Sequence, residues 1–341
     1  KAEEALGDNN LTAVLAYNYG QLVLFSDNAG ALAALERADE LRASGVADLP
    51  QIDLDLYLAF ARLNRDNNNR KSRNALRDAL DAYTASGGAD TEDTSRMWLA
   101  LANAEMLAKR YSDAFETAKR AEQAILSATP DDYPRRADAM TTQGISLVAN
   151  PKTVAQDLLA ANQIFVRASG LFPVQTSVRN FDPKLAVILA WNGAAAAKFR
   201  TVSAFQQDAP ETHKGSHVKL AEPHESEFAD PEQFHAFDLA VYIKREMPEG
   251  GCGAGEMIRT PPRYPDYALR KGFVGTAVVG YDLDAYGGVI NPVVLAEAPV
   301  AAEFSRLALE AMANWRMTEK PINQPGCLKD LITYFSFQIT G

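Results

Sequence analysis

The chain has 341 residues, 47% hydrophobic and 23% charged, with a formal net charge of −10. That length allows two or three domains, and that composition allows real hydrophobic cores. From Arg259 onward there are eight basic and eight acidic side chains, so residues 1–258 hold the whole acidic surplus, 26 basic against 36 acidic; such a body excludes nucleic acid, whose phosphates need clustered Lys and Arg, and argues against loose adhesion to anionic lipid.

No stretch reaches the roughly 20 apolar residues that span a bilayer. The nearest run, Leu185 to Ala197, is short and contains Asn192 and Gly193. The chain begins at Lys1 rather than Met, so the lack of a leader or anchor within it says nothing about one upstream.

Residues 1–205 read as helix after helix. Alanine is abundant and β-branched runs are absent. Apolar side chains recur at steps of three and four, as at Leu32, Leu35, Ala38 and Leu41, and again at Met97, Leu101, Ala104 and Leu107. Gly45, Gly87-Gly88, Asn150-Pro151 and Gly170 with Pro173 each close a periodic stretch. Alanines seven apart, two helical turns, mark one close-packing face at Ala31/Ala38, Ala75/Ala82, Ala114/Ala121 and Ala161/Ala168. Their recurrence every 40 to 47 residues suits a helical solenoid. Trp98, Ala102, Tyr111, Ala114, Ala118 and Ala121, closed by Pro130, fall at the spacing of the tetratricopeptide repeat; Asn18 and Gly20 mark a weaker first unit. Residues 1–205 thus resemble a divergent tetratricopeptide array, with a generic helical bundle as the alternative. A solenoid offers a concave surface for peptides or protein segments. Asn18, Trp98 and Asn103 are the candidate groove residues, although such side chains are more often core or simply solvated.

Residues 206–258 form a connector punctuated by Pro210, Gly215, Pro223, Pro231, Pro248 and Gly250-Gly251. It holds His213, His217, His224 and His235, near Glu222, Glu225 and Glu227. Imidazole and carboxylate suit zinc, but the spacing matches no compact ligand motif, so a solvated linker without metal is expected. Phe234, Phe237, Leu239, Val241 and Tyr242 predict a short strand or docking helix. The glycine-rich Gly250–Gly255 lacks the Lys-Ser/Thr end of a phosphate loop. The two cysteines, Cys252 and Cys327, have the count of a single disulfide in an oxidising compartment; two separate buried thiols are the other possibility.

Residues 259–341 change character. Thr276–Leu283 is a β-type run, Asp284–Gly288 a glycine turn, and Val289–Ala296 a returning strand, together a β-hairpin. A helix is predicted from about Ala301 to Trp315, with Phe304, Leu307, Ala308, Ala311 and Trp315 on its buried face. Leu331 to Ile339 alternates as a third strand, Leu331, Thr333, Phe335, Phe337 and Ile339 lining one buried face.

These residues resemble the TonB C-terminal domain. The resemblance rests on Pro261-Pro262-Arg263-Tyr264-Pro265 with Ala268-Leu269-Arg270, on Gly272 to Val279, on Asp282 and the turn into Val289-Ile290, and on Asn314-Trp315-Arg316, over about 80 of 341 residues. The expected fold is therefore multidomain: an α-helical, tetratricopeptide-like solenoid followed by a small ββαβ domain of TonB type. The resemblance implies the periplasm, a grip on the TonB box of an outer-membrane TonB-dependent receptor, and inner-membrane motor proteins as further partners. It also implies strand addition, in which an extended peptide pairs with a sheet edge. The receiving edge is then the last strand, with Leu331, Thr333, Tyr334, Phe335, Ser336 and Phe337, and the segment Arg263-Tyr264-Pro265 lies close by; Tyr264 equally suits a packed anchoring ring. In that fold Cys252 and Cys327 are neighbours, so a disulfide between them is expected, closing a loop of about 75 residues. The chain departs from the family in having a helical array where a proline-rich spacer is usual, which leaves a soluble envelope adaptor, holding peptidoglycan or another protein, as the second reading. No GxSxG, HExxH or phosphate loop is present, so neither an enzyme nor a cofactor is expected.

Overall fold

A computed structural model describes residues 7–66, 69–207, 239–244, 248–249, 251–253, 255–300 and 302–339. The first half runs as helices in consecutive pairs: α1 (Asn10–Val23) with α2 (Asn28–Ala43), α3 (Gln51–Arg65) with α4 (Arg70–Ala85), α5 (Glu92–Leu107) with α6 (Tyr111–Ala128), and α7 (Tyr133–Ala149) with α8 (Ala155–Ser169). A longer helix, α9 (Pro183–Gln207), follows. Short connections make the two helices of each pair antiparallel neighbours. The starts are set by side chains that satisfy orphan N–H groups: Asn9, Asp27 and Asn69 each accept from the backbone N–H three residues on, at 3.0, 3.0 and 2.9 Å. Thr91 and Thr94 cap α5 reciprocally. Asp182 accepts from Lys184 N at 2.8 Å ahead of α9, whose first residue is proline. Helices α2 and α4 stop just before Gly45 and Gly87, at φ +76° and +85°, where a left-handed residue closes the last turn.

The chain divides into two units, Lys1–Asp132 and Tyr133–Gly341. In the first, Ala31, Ala38, Ala114 and Ala121 are fully buried, as the seven-residue spacing predicts. Helix α4 departs from the pattern. It buries Ser72, Leu76 and Leu80, whereas Ala75 and Ala82 are exposed. The reason is register: the leucines outweigh the alanines in apolar area, so the helix turns its larger side chains inward. The outward alanines floor a cleft of about 370 Å³ rimmed by Asp39, Asp55 and Asp78.

In the second unit α10 (Asp266–Lys271) precedes the main sheet, formed by β2 (Gly275–Leu283), β3 (Val289–Ala298) and β5 (Leu331–Phe337) in the antiparallel order β3-β2-β5. Helix α11 (Phe304–Met312) connects the hairpin to the last strand. It is shorter than the predicted 301–315, because Trp315 leaves the helix to donate its Nε1–H to Thr260 O at 2.9 Å. A small ladder pairs β1 (Met257–Ile258) with β4 (Arg316–Met317), and α12 (Pro325–Leu328) leads into β5.

Both faces of the sheet are covered. On one, Ala277, Val279, Tyr281, Leu283, Leu331, Phe335 and Phe337 form a core with Phe304, Ala308, Met312 and Trp315. On the other, Val278, Ala298 and Ile332 meet Leu185, Ala186, Leu189, Ala190 and Ala194 of α9, with Val178 and Phe181 just before it. Strand β2 is accordingly buried along almost its whole length, Asp282 excepted. A strand buried on both faces reads as a continuous apolar run rather than an alternation, and Thr276–Tyr281 is such a run. Helix α9 likewise carries no charge from Leu185 to Ala197, the mark of a helix buried on several sides. Secondary structure changes type near residue 205, but packing does not: α7, α8 and α9 share a unit with the sheet.

Helix α9 comes close to the sheet at Gly193, where an added Cβ would stand 2.6 Å from Thr276 Oγ1 and 2.7 Å from its Cγ2. Thr276 is fully buried in the central strand, and its branched side chain has no room to turn. Gly193→Ala is therefore expected to destabilise the chain by about 1–3 kcal/mol, despite the gain of up to about 1 kcal/mol in helix propensity. The same change on a Thr276→Ala background should cost markedly less. Urea unfolding of the two single variants and the double variant measures this; strictly additive effects would show that α9 is not seated on β2 as described.

Candidate partner-binding edge

Strand β5 sits at one border of the sheet and β2 is the only described strand to which it is bonded. Its alternation sorts the side chains. Leu331, Phe335 and Phe337 are buried toward α11; Ile332 packs toward α9 and Ser336 is half-buried beside it. Thr333 is half-buried and Tyr334 is 38% exposed. Phe337 stacks on Phe304 at 4.4 Å between ring centroids, and Phe335 lies against Trp315 at 5.0 Å.

The foot of the strand is held by Asp330, a non-glycine residue at φ +55°. Its carboxylate accepts from Ser177 Oγ and Val178 N, each at 2.7 Å, and its own N–H donates to Asp282 Oδ1 at 3.0 Å. Two acceptor bonds to one carboxylate offset the cost of the left-handed backbone.

The two borders of the sheet differ. Strand β3 contains Asn291 at φ +50° and Pro292, which has no N–H, and its pairing with β2 slips twice. Such features blunt an edge against further strands. Strand β5, Leu331–Phe337, contains no proline, glycine or charge. The two edges thus differ in the features their own residues offer against pairing.

The segment ahead of α10 runs past this strand. Arg259 stacks over Trp315 at 5.3 Å. Arg263 is exposed, Tyr264 half-buried and Pro265 buried. The Tyr264 hydroxyl donates to Phe273 O, and its ring meets Phe304 at 6.0 Å and Phe337 at 5.9 Å edge-on. Burial pushes the Tyr264 phenol up to about 12. Tyr264 is thus an anchoring ring that ties this segment to the end of β5.

Cys252 and Cys327 form a disulfide, with Cα atoms 5.3 Å apart. Its neighbours extend the contact: Ile322 N donates to Cys252 O at 3.2 Å and Thr318 N to Glu256 O at 2.8 Å. The bridge therefore fixes the connector to the turn that enters β5.

Of the helical candidates, Asn18 and Asn103 are exposed. Trp98 is not a surface residue: it is 6% exposed, and Arg120, paired with Asp90 at 2.6 Å, lies over its ring. The large indole is simply worth more in the core than in a groove. Phe234, Phe237 and the four connector histidines lie outside the described residues. Leu239–Tyr242 is a single 3-10 turn, and Ile243 after it bridges to Gln175. Among the described residues no group of three or more His, Cys, Asp or Glu is placed to hold a metal ion. The buried carboxylate of Glu105, lifted above the usual range by burial, is engaged by Arg77 and by Thr117 Oγ1 at 2.8 Å. It joins helices. Sequence reasoning missed Asp330 and Arg200, whose guanidinium reaches Ser336 Oγ at 3.2 Å from α9. The uncharged run in α9 was the signal that this helix seeks a second buried surface.

Comparison with known proteins places this geometry. Residues 260–334 match the family described as Gram-negative bacterial TonB protein C-terminal. Curated proteins give no match. Among solved structures, a signal transduction ATPase with numerous domains and a tetratricopeptide repeat sensor from Pyrococcus horikoshii is similar at 17% identity and TM-score 0.38, over 54% of this chain and 26% of that one. A Podosopora anserina protein of nearly identical TPR-like repeats is similar at 13% identity and TM-score 0.37, over 58% of this chain and 96% of that one. This chain thus spans about a quarter of the first of these proteins. Among the described residues no helix is long and apolar enough to cross a membrane. Behind an array of paired helices, residues 260–334 carry the match to the TonB C-terminal family, over less than a quarter of the chain.

Proposed function

We propose that this chain is a non-enzymatic periplasmic protein that receives an extended partner segment by strand addition at β5, and a second protein on its helical array. The partner segment we favour is the TonB box of an outer-membrane TonB-dependent receptor, with energy transduction as the purpose and inner-membrane motor proteins upstream. The observation that carries this reading is the asymmetry of the sheet: β3 is blunted by Asn291 and Pro292, whereas Leu331–Phe337 of β5 contains no proline, glycine or charge. Main-chain bonds along β5 would supply affinity, and alternate side chains specificity.

Purified protein titrated with TonB-box peptides of the host's receptors tests this. Adjacent residues of a strand point their N–H groups to opposite sides, so one of Thr333→Pro and Tyr334→Pro removes a donor from the outer edge alone. The variant that keeps the wild-type melting temperature should lose peptide binding at least tenfold. Undiminished binding in that variant would remove β5 as the edge. No binding by wild-type protein, together with retention on peptidoglycan, would favour a soluble envelope adaptor instead.

A further inference from the structure

Resting on the β5 reading, we infer that Arg200, a residue of the helical array and not of the TonB-type domain, selects partner segments that carry a carboxylate. Arg200 lies near the end of α9, exposed, and reaches across to the α9 side of β5. Its Nη2 donates to Ser336 Oγ at 3.2 Å. With the Gln338 amide oxygen turned toward it, Gln338 accepts from Arg200 Nε at 2.8 Å and from Nη2 at 3.0 Å. Both partners are neutral. No carboxylate among the described residues pairs with this guanidinium, whereas Arg62, Arg77 and Arg120 each reach a carboxylate distant in sequence.

Position gives the charge its meaning. A strand added to β5 lies about 4.8 Å outside it, with alternate side chains on the α9 side. Those nearest Ser336 and Gln338 stand beside the guanidinium, which its two neutral partners hold in place. A guanidinium binds a carboxylate through a planar fork and gains most when the fork is already oriented. An Asp or Glu at that place in the incoming strand is therefore favoured over a neutral residue, and a Lys or Arg there is rejected by like charge. The seat of α9 on Val278, Ala298 and Ile332 is what brings Arg200 to the edge. In this way the array contributes directly to what the TonB-type domain binds.

A random dodecapeptide display library, selected separately on wild-type protein and on Arg200→Gln, gives the test. Peptides from the wild-type selection should be enriched in Asp or Glu at one fixed place, and the enrichment should vanish with Arg200→Gln. Synthetic copies of the selected peptides should bind Arg200→Gln about fivefold to tenfold more weakly, with Arg200→Lys in between. Equal melting temperatures of the variants exclude a structural cause. Peptides that bind β5, as judged by the stable proline variant, but show no acidic preference would overturn the inference and leave the β5 reading intact. A selection that yields no peptide sensitive to that proline overturns both.

Discussion

Replacing Cys252 and Cys327 together by alanine is expected to lower the stability of the C-terminal domain by about 4 kcal/mol. The bridge spans 75 residues, which encloses every strand of the main sheet except the last. On the loop-entropy model a closure of that length removes a large share of the freedom of the unfolded chain. The folded side should change little. The segment from Cys252 to Ile258 still has its ladder with Arg316 and Met317 and its bonds to Thr318 and Ile322. The effect should therefore appear as a lower urea midpoint with a steeper dependence on urea, since the unfolded chain expands when the tether is cut. Reductant added to the native protein should reproduce the double substitution. A loss below about 1 kcal/mol, far under the loop-entropy expectation, would show that the cross-link does not constrain the unfolded ensemble in this way. Because the bridge lies at the turn into β5, peptide binding should also weaken on reduction, in proportion to the fraying of Asp330 and Leu331 from their partners.

The parts of this molecule legible in the sequence are those dictated by local chemistry. Helix stops are legible at Gly45 and Gly87, because a cap needs only its own neighbours; the starts at Asn9, Asp27, Asn69 and Thr91 are equally local but come from the structure. The hairpin, read as Thr276–Leu283 and Val289–Ala296 and found as Gly275–Leu283 and Val289–Ala298, and the alternation of β5 are legible for the same reason. The failures share a cause too. Ala75 and Ala82 have the spacing of a packing face, yet Leu76 and Leu80 claim the interior, and spacing alone does not rank competing faces. Trp98 is a groove candidate for which core is the commoner outcome, and core is where it lies, since a residue of its size rarely stays on a surface that can bury it. The sequence reading gives one buried face to the last strand and does not foresee a second cover for the sheet. Its second cover, α9, comes from about 80 residues upstream of β2. Nothing local joins the two, but both carried the mark of burial on every side: the uninterrupted Thr276–Tyr281 run and the chargeless Leu185–Ala197. Two such segments in one chain are candidates to cover each other. At the edge itself, Leu331 to Phe337 was legible as a strand, whereas the latch at Asp330 and the reach of Arg200 depend on contacts over more than 130 positions.

Phe304→Ala should be the most damaging single change in the domain, at about 3–5 kcal/mol. Phe304 has no exposed surface and is among the largest fully buried side chains. It stands where three parts of the domain meet. Its ring stacks on Phe337 of β5, meets Tyr264 of the preceding segment edge-on, and lies so close to β2 that a Cβ on Gly275 would stand 2.6 Å from its Cε2. The backbone oxygen of Ala298, nearer still, and this ring together leave room only for glycine at 275. Removing the ring leaves a cavity that cannot collapse easily, since β2 is held on its other face by α9 and on both sides by strands. Partial relaxation has one easy route, inward movement of Phe337 and Tyr264. That movement draws in the end of β5 and the segment beside it, which is the region proposed to receive a partner. The expected result is a loss of peptide affinity larger than that of Phe337→Leu, which keeps most of the volume. Chemical unfolding and peptide titration of the two variants measure both quantities. A cost for Phe304→Ala below about 2 kcal/mol, less than large-to-small core substitutions usually show, would mean that the sheet can close over the cavity, and the rigidity argued for the edge would then fail with it.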